Sequence, residues 1–121
     1  MEQITKDKIQ NIIDENDVLL FMKGTPVMPQ CGFSAAVVGV LSHMGIKYNS
    51  VNVLEDPEIR EGIKEFSDWP TIPQLYIKNV FIGGSDIITE MTMSGELDQL
   101  FAEKKVPFSQ DAATKIREEN S

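Results

Sequence analysis

The sequence predicts an α/β domain in which a small four-stranded mixed sheet is flanked by helices. Three observations predict it. A short apolar run, "DVLLFMK" at 17–23, is followed closely by Gly24 and Pro26, the pattern of a buried strand. Helical periodicity precedes that run and returns after it, the alternation that builds a βαβ unit. Later, "QLYI" and "VFIGG" are separated only by Lys78–Asn79, which reads as an antiparallel hairpin.

Each element has its own signal. "TKDKIQNIIDEN" (5–16) places Ile9, Ile12 and Ile13 on one helical face, with Thr5 as the expected cap. "GTPVMPQ" (24–30) is broken twice by proline and reads as a loop. From Gly32 to Met44 the residues are small and apolar, and Gly45 is placed to end a helix. "KYNSVNV" (47–53) alternates like a strand. In "EDPEIREGIKEFSDW" (55–69), Asp56 suits the N-cap, Pro57 suits the first turn, and Ile59, Ile63 and Phe66 form a core stripe. "SDIITEMTMSGELDQLFAEKK" (85–105) is helical with a break near Ser94–Gly95. From Pro107 the pattern weakens, so residues 107–121 are expected to be a mobile tail beyond a domain of residues 1–106.

The resulting order is α-β-α-β-α-β-β-α, which resembles the thioredoxin-like arrangement. A hydrophobic fraction of 41% suffices for one packed core. The net charge of −8 argues against a nucleic-acid surface, because phosphate neutralisation needs clustered Lys and Arg. No apolar run approaches the length of a bilayer span, so no membrane association is expected. The charged start, "MEQITKDKIQ", lacks the apolar stretch of a signal peptide. A single cysteine builds no disulfide framework and fits a reducing compartment. The expected location is a bacterial cytoplasm, or an organelle matrix if a transit peptide has been removed.

That cysteine, Cys31 in "MPQCGFSAA", stands just before a helix. First-turn N–H groups lack intrahelical acceptors, and the helix dipole favours negative charge there. A thiol at this place should have a depressed pKa, and Gly32 lets the backbone come close. Thiol chemistry often pairs two cysteines as C-x-x-C. Here the second position is Ser34, which cannot resolve a mixed disulfide.

Four stretches, "FMKG" (21–24), "CGFS" (31–34), "WPTIPQLY" (69–76) and "GGSD" (83–86), occur in an order and spacing that is highly specific. By these the chain resembles the monothiol glutaredoxins of the CGFS class over about residues 5–105. The resemblance implies a glutathione site and a [2Fe–2S] site that share Cys31. It also implies a homodimer when the cluster is bound and a monomer without it. The ligand arithmetic agrees: such a cluster commonly takes four thiolates, two chains offer two, and two glutathiones offer the rest.

Further site residues follow from the same resemblance. Lys23 would stabilise the thiolate or a glutathione carboxylate. Arg60 and Lys64, four apart on one helix, repel unless an anion joins them, and Arg60 is the stronger candidate. Ile72–Pro73 would be a cis bond that presents the Ile72 backbone to glutathione's peptide. Gly84, Ser85 and Asp86 would take the γ-glutamyl end, with Asp86 on its amino group. Phe33 would cover the ligand. Many relatives carry cysteine where this chain has Ser85, a departure that removes a second thiol. Trp69 reads as packing, His43 as a surface residue and the six methionines as core filler.

The leading function is therefore an iron–sulfur carrier that passes its cluster to apo-proteins and can pair with a BolA-like partner. The alternative is an enzyme, a glutathione-dependent thiol transferase in which Cys31 attacks the glutathione sulfur of a mixed disulfide. A sensor that holds a cluster without donating it is a third reading.

Overall fold

The computed structural model describes residues 1–120. Six helices and four strands follow in the order α1 (Gln3–Asp14), β1 (Val18–Met22), α2 (Gly32–His43), β2 (Asn49–Asn52), α3 (Pro57–Ser67), β3 (Gln74–Ile77), β4 (Val80–Gly83), α4 (Ser85–Ser94), α5 (Glu96–Glu103) and α6 (Gln110–Asn120). The sheet order is β2-β1-β3-β4. β1 pairs with β2 in parallel and with β3 antiparallel, and β3 pairs antiparallel with β4. This is the mixed four-stranded sheet that the sequence predicts, in a thioredoxin-like fold.

β1 is buried at every position, and its two faces serve two cores. Val18, Leu20 and Met22 join Val37, Leu41, Ile88, Leu97 and Phe101 on the side of α2, α4 and α5. Leu19 and Phe21 join Ile9, Ile13, Ile59, Ile63 and Tyr76 on the side of α1 and α3. The period-two alternation of a central strand thus holds three layers together. Burying each of these large side chains contributes on the order of 1.5–3 kcal/mol.

Local signals act where expected. The Asp56 side chain accepts from the Ile59 N–H at 3.2 Å and also from the Lys8 ammonium at 2.8 Å. Lys78 and Asn79 both adopt positive φ, 48° and 70°, the conformation that a two-residue hairpin turn requires. Gly95, at φ 86°, separates α4 from α5.

Several expectations are corrected. Thr5 does not cap α1; the helix begins at Gln3 and Thr5 is buried within it. β2 is shorter than the alternation suggests, and Val53 turns inward as the first residue of a 3-10 turn. The methionines are mixed: Met22 and Met44 are fully buried, whereas Met28 and Met93 are exposed. Residues 107–121 are not a mobile tail as far as they are described. Ser109 donates its N–H to the Met44 carbonyl at 2.7 Å and caps α6 through the Ala112 N–H at 3.1 Å. Ala113 is fully buried, and Phe108 and Ile116 pack against the same core. The segment folds because a few apolar side chains meet a surface that α4 and α5 have already formed.

Candidate functional site

The corner between β1 and α2 is built around a glycine. Gly24 has φ 91°, and a Cβ there would lie 2.5 Å from the Met28 carbonyl oxygen and 2.6 Å from the Gln30 nitrogen. Only glycine permits this fold-back. Thr25 N–H donates to the Met28 carbonyl at 3.2 Å, and Gln30 N–H to the Lys23 carbonyl at 2.9 Å. The loop therefore returns the chain beside the end of β1, where Cys31 precedes α2 in extended backbone (φ −151°, ψ 134°).

The Cys31 thiol is partly exposed and its pKa lies below the ordinary thiol value. The largest cause is the Ser34 backbone N–H. Partial burial opposes it, and the Phe33 N–H, the Lys23 ammonium and the Ser34 hydroxyl add to it. The Ser34 and Phe33 N–H groups are open donors of the first turn of α2. Ser34 has a second task. It is fully buried, and its Oγ accepts from the Lys23 N–H at 3.1 Å, which ties α2 to the end of β1. Gly32 needs no space within the chain, since a Cβ there would meet nothing within 4 Å.

Beside Phe33 lies a groove of about 160 Å³, lined among others by Trp69, Ile72, Pro73, Gly84, Ser85 and Asp86. Five of the residues proposed from sequence, Ile72, Pro73, Gly84, Ser85 and Asp86, thus meet Phe33 across one surface. Phe33 is 64% exposed, so it is no core residue. Ile72–Pro73 is cis, and among the described residues no hydrogen bond engages the Ile72 peptide N–H or C=O. A Cβ on Gly84 would stand 3.2 Å from the Pro73 carbonyl oxygen and 3.3 Å from Trp69 Nε1. Glycine keeps this approach open. Ser85 and Asp86 form the first turn of α4, where backbone donors face outward.

Sequence reasoning missed two wall-builders. Gln74 is fully buried, and its Nε2 donates to the carbonyls of Trp69 and Thr71 at 3.2 and 3.1 Å, which holds the 69–73 loop against β3. The signal was a glutamine opening an otherwise apolar strand. Trp69 lines the groove, and its buried Nε1 has no partner among the described residues. It is a wall as well as packing.

The cations divide. Neither Lys23 nor Arg60 has an ion-pair partner among the described residues, while Lys64 pairs with Glu61 at 3.4 Å. The nearby Asp56 pairs with Lys8 of α1. Lys64 lines a separate cavity of about 710 Å³ between α1 and α3, together with Glu58, Glu61 and Glu65, and not the groove beside Phe33. His43 is exposed at the end of α2. No group of three metal-ligating side chains occurs among the described residues.

Residues 18–82, more than half of the chain, match the family model described as Glutaredoxin. The chain belongs to the glutaredoxin family. The match runs from the start of β1 nearly to the end of β4 and takes in Lys23, Cys31, Arg60 and Pro73. Among curated relatives, this glutaredoxin is 58% identical over 98 residues to Monothiol glutaredoxin-5, mitochondrial, of Saccharomyces cerevisiae, covering 78% of the chain and 65% of that protein. It is 51% identical over 100 residues to the monothiol glutaredoxin ycf64-like protein of Synechocystis, covering 83% of the chain and 94% of the relative. Among solved structures it resembles a monomeric truncated mutant of Trypanosoma brucei 1-C-Grx1, with a TM-score of 0.79 and 43% identity over 85% of this chain and 94% of that one.

Proposed function

We propose that this glutaredoxin binds glutathione beside Cys31 and carries a [2Fe–2S] cluster as cargo for apo iron–sulfur proteins. One observation carries the reading. The only thiol of the chain is partly exposed and thiolate-favouring, two residues before Phe33, which lines a groove beside the unengaged Ile72 peptide. A lone thiolate cannot complete a four-thiolate cluster. Cys31 of two chains and the thiols of two glutathiones together can.

The groove suits glutathione group by group. The Ile72 N–H and C=O are free to pair with its peptide as an added strand would. Lys23 and Arg60, neither of which has an ion-pair partner among the described residues, are assigned to one carboxylate in this reading. The first turn of α4 offers N–H donors for the other, with the Asp86 carboxylate for the amino group. Lys64, engaged by Glu61, is the weaker of the two α3 cations in this reading. Exogenous, solvent-facing ligands exchange readily, which suits delivery over storage. The holo form is a homodimer and the apo form a monomer. A BolA-like protein is a further partner, and the site of action is a bacterial cytoplasm or an organelle matrix.

Anaerobic reconstitution with iron, sulfide and glutathione, followed by absorbance, sizing and transfer to an apo-ferredoxin, tests this. A coloured glutathione-dependent dimer that donates its cluster is expected. A colourless monomer, or a coloured dimer free of glutathione, overturns it.

The depressed Cys31 pKa also favours a second reading, deglutathionylation. The Cys31 thiolate attacks the glutathione sulfur of a protein mixed disulfide, and the protein thiol leaves. A second glutathione then attacks the new mixed disulfide, releasing oxidised glutathione and restoring Cys31. Turnover on a glutathionylated peptide without cluster transfer would favour this enzyme.

A further inference from the structure

Trp69 is held at three points. Its backbone N–H donates to the Lys64 carbonyl in the last turn of α3 at 3.0 Å. Its carbonyl accepts from Gln74 Nε2 at 3.2 Å. Its ring packs against Phe81 of β4, with centroids 5.7 Å apart. The indole Nε1 is buried and has no hydrogen-bond partner among the described residues. An indole nitrogen can only donate, and a buried donor left without an acceptor costs free energy. Such groups are few in folded proteins, so this one calls for an acceptor from outside the fold.

Gly84 marks where that acceptor would sit. A Cβ on Gly84 would stand 3.3 Å from Trp69 Nε1. Gly84 is also the N-cap of the ten-residue helix α4, and no side chain caps that helix. The indole N–H therefore lies where a capping side chain would begin, beside the open first-turn N–H groups of α4. Asp86 lines the same groove. Open donors and one carboxylate in a single groove suit an amino-acid head, which carries a carboxylate for the donors and an ammonium for Asp86. We propose that Trp69 is a specificity-determining residue, whose indole N–H donates to the α-carboxylate of a γ-glutamyl ligand end held at Gly84. The inference rests on the reading of the groove as a glutathione site.

Two ligands and one substitution isolate this bond. Replacing the γ-glutamyl group of glutathione by 4-aminobutanoyl removes only the α-carboxylate and keeps the ammonium. Trp69→Phe removes the N–H and keeps a ring for Phe81. Calorimetric titration of the full apo chain should show glutathione binding to Trp69→Phe about tenfold more weakly than to the parent, the scale of a hydrogen bond to a charged group. The analogue should bind the variant and the parent alike, because the partner of the indole is already gone. Unchanged glutathione affinity in the variant, or equal weakening with both ligands, overturns the proposal and leaves the glutathione site standing. A parent that binds no glutathione overturns the site as well. Should the variant fail to fold, the parent decides. Trp69 is the only tryptophan, so a nitrogen-15-labelled chain has one indole N–H resonance. Saturation with glutathione should move it and saturation with the analogue should not. A resonance unmoved by glutathione, or moved alike by both ligands, overturns the proposal. None of these measurements involves a cluster, so the carrier function can fail while this inference stands.

Discussion

Arg117 Nη1 lies 2.9 Å from Asp98 Oδ2, an ion pair that fastens α6 onto α5. Gln110 Nε2 donates to the same carboxylate oxygen at 2.9 Å, and Arg117 also reaches the Thr92 carbonyl of α4 at 3.3 Å. Asp98 is buried, so removal of its cation leaves a poorly compensated charge. Arg117→Ala should cost about 1–3 kcal/mol. Truncation after Pro107 also uncovers Phe101 and should lower the melting temperature by about 10 °C. Thermal unfolding by circular dichroism measures both. An unchanged melting temperature in the truncated chain would show that α6 does not dock.

Gln74 holds the wall of the groove without touching its interior. Gln74→Leu leaves the Trp69 and Thr71 carbonyls without their donor, at a cost of about 1–3 kcal/mol. Glutathione affinity should fall as the 69–73 loop loosens, while the alkylation profile of Cys31 should stay that of the parent. Calorimetric titration with glutathione, beside the alkylation assay, checks the pair of outcomes.

The Cys31 pKa sets a pH dependence with a defined sign. The folded thiol titrates below its unfolded value, which is about 8.5. The folded state therefore binds fewer protons in the window between the two values. The stability due to this thiol is fully present above the unfolded pKa and is lost as pH falls through the folded pKa. Chemical denaturation of the parent and of Cys31→Ala across that window should show the parent gaining stability relative to the variant as pH rises. Parallel curves would mean that the thiol is not depressed.

Glutathione dependence separates the cations. Lys23→Ala and Arg60→Ala should each raise the glutathione concentration needed for the coloured dimer, by about 1–2 kcal/mol of lost charge-assisted contact. Lys64→Ala should have less effect, because that ammonium already has Glu61. Sizing and absorbance during glutathione depletion give the order. A larger effect at Lys64 than at Arg60 would reverse the assignment.

Cys31→Ser should keep the fold and lose the cluster, since a hydroxyl is a poor substitute for a thiolate. Parent-like circular dichroism with no colour after reconstitution is the expected result. Normal cluster content would remove Cys31 from the site.

The sequence by itself determined the sheet, the helices up to residue 105 and the place of Cys31. Those depend on local periodicity and on glycine, proline and capping residues, whose effects act over a few positions. The run at 17–23, closed by Gly24 and Pro26, reads as a buried strand, and Asp56 with Pro57 suits a helix start. Tertiary structure alone decided which side chains cooperate across elements. The Asn52 side chain accepts the Gly24 N–H across 28 positions and Arg117 meets Asp98 across 19, and no local pattern marks either pair. Arg60 and Lys64 look equivalent on a helix face, but Glu61 occupies only one of them. The tail escaped notice for the same reason. Its apolar residues are too sparse to form a helix alone, and they become a docking face only against the surface that α4 and α5 present.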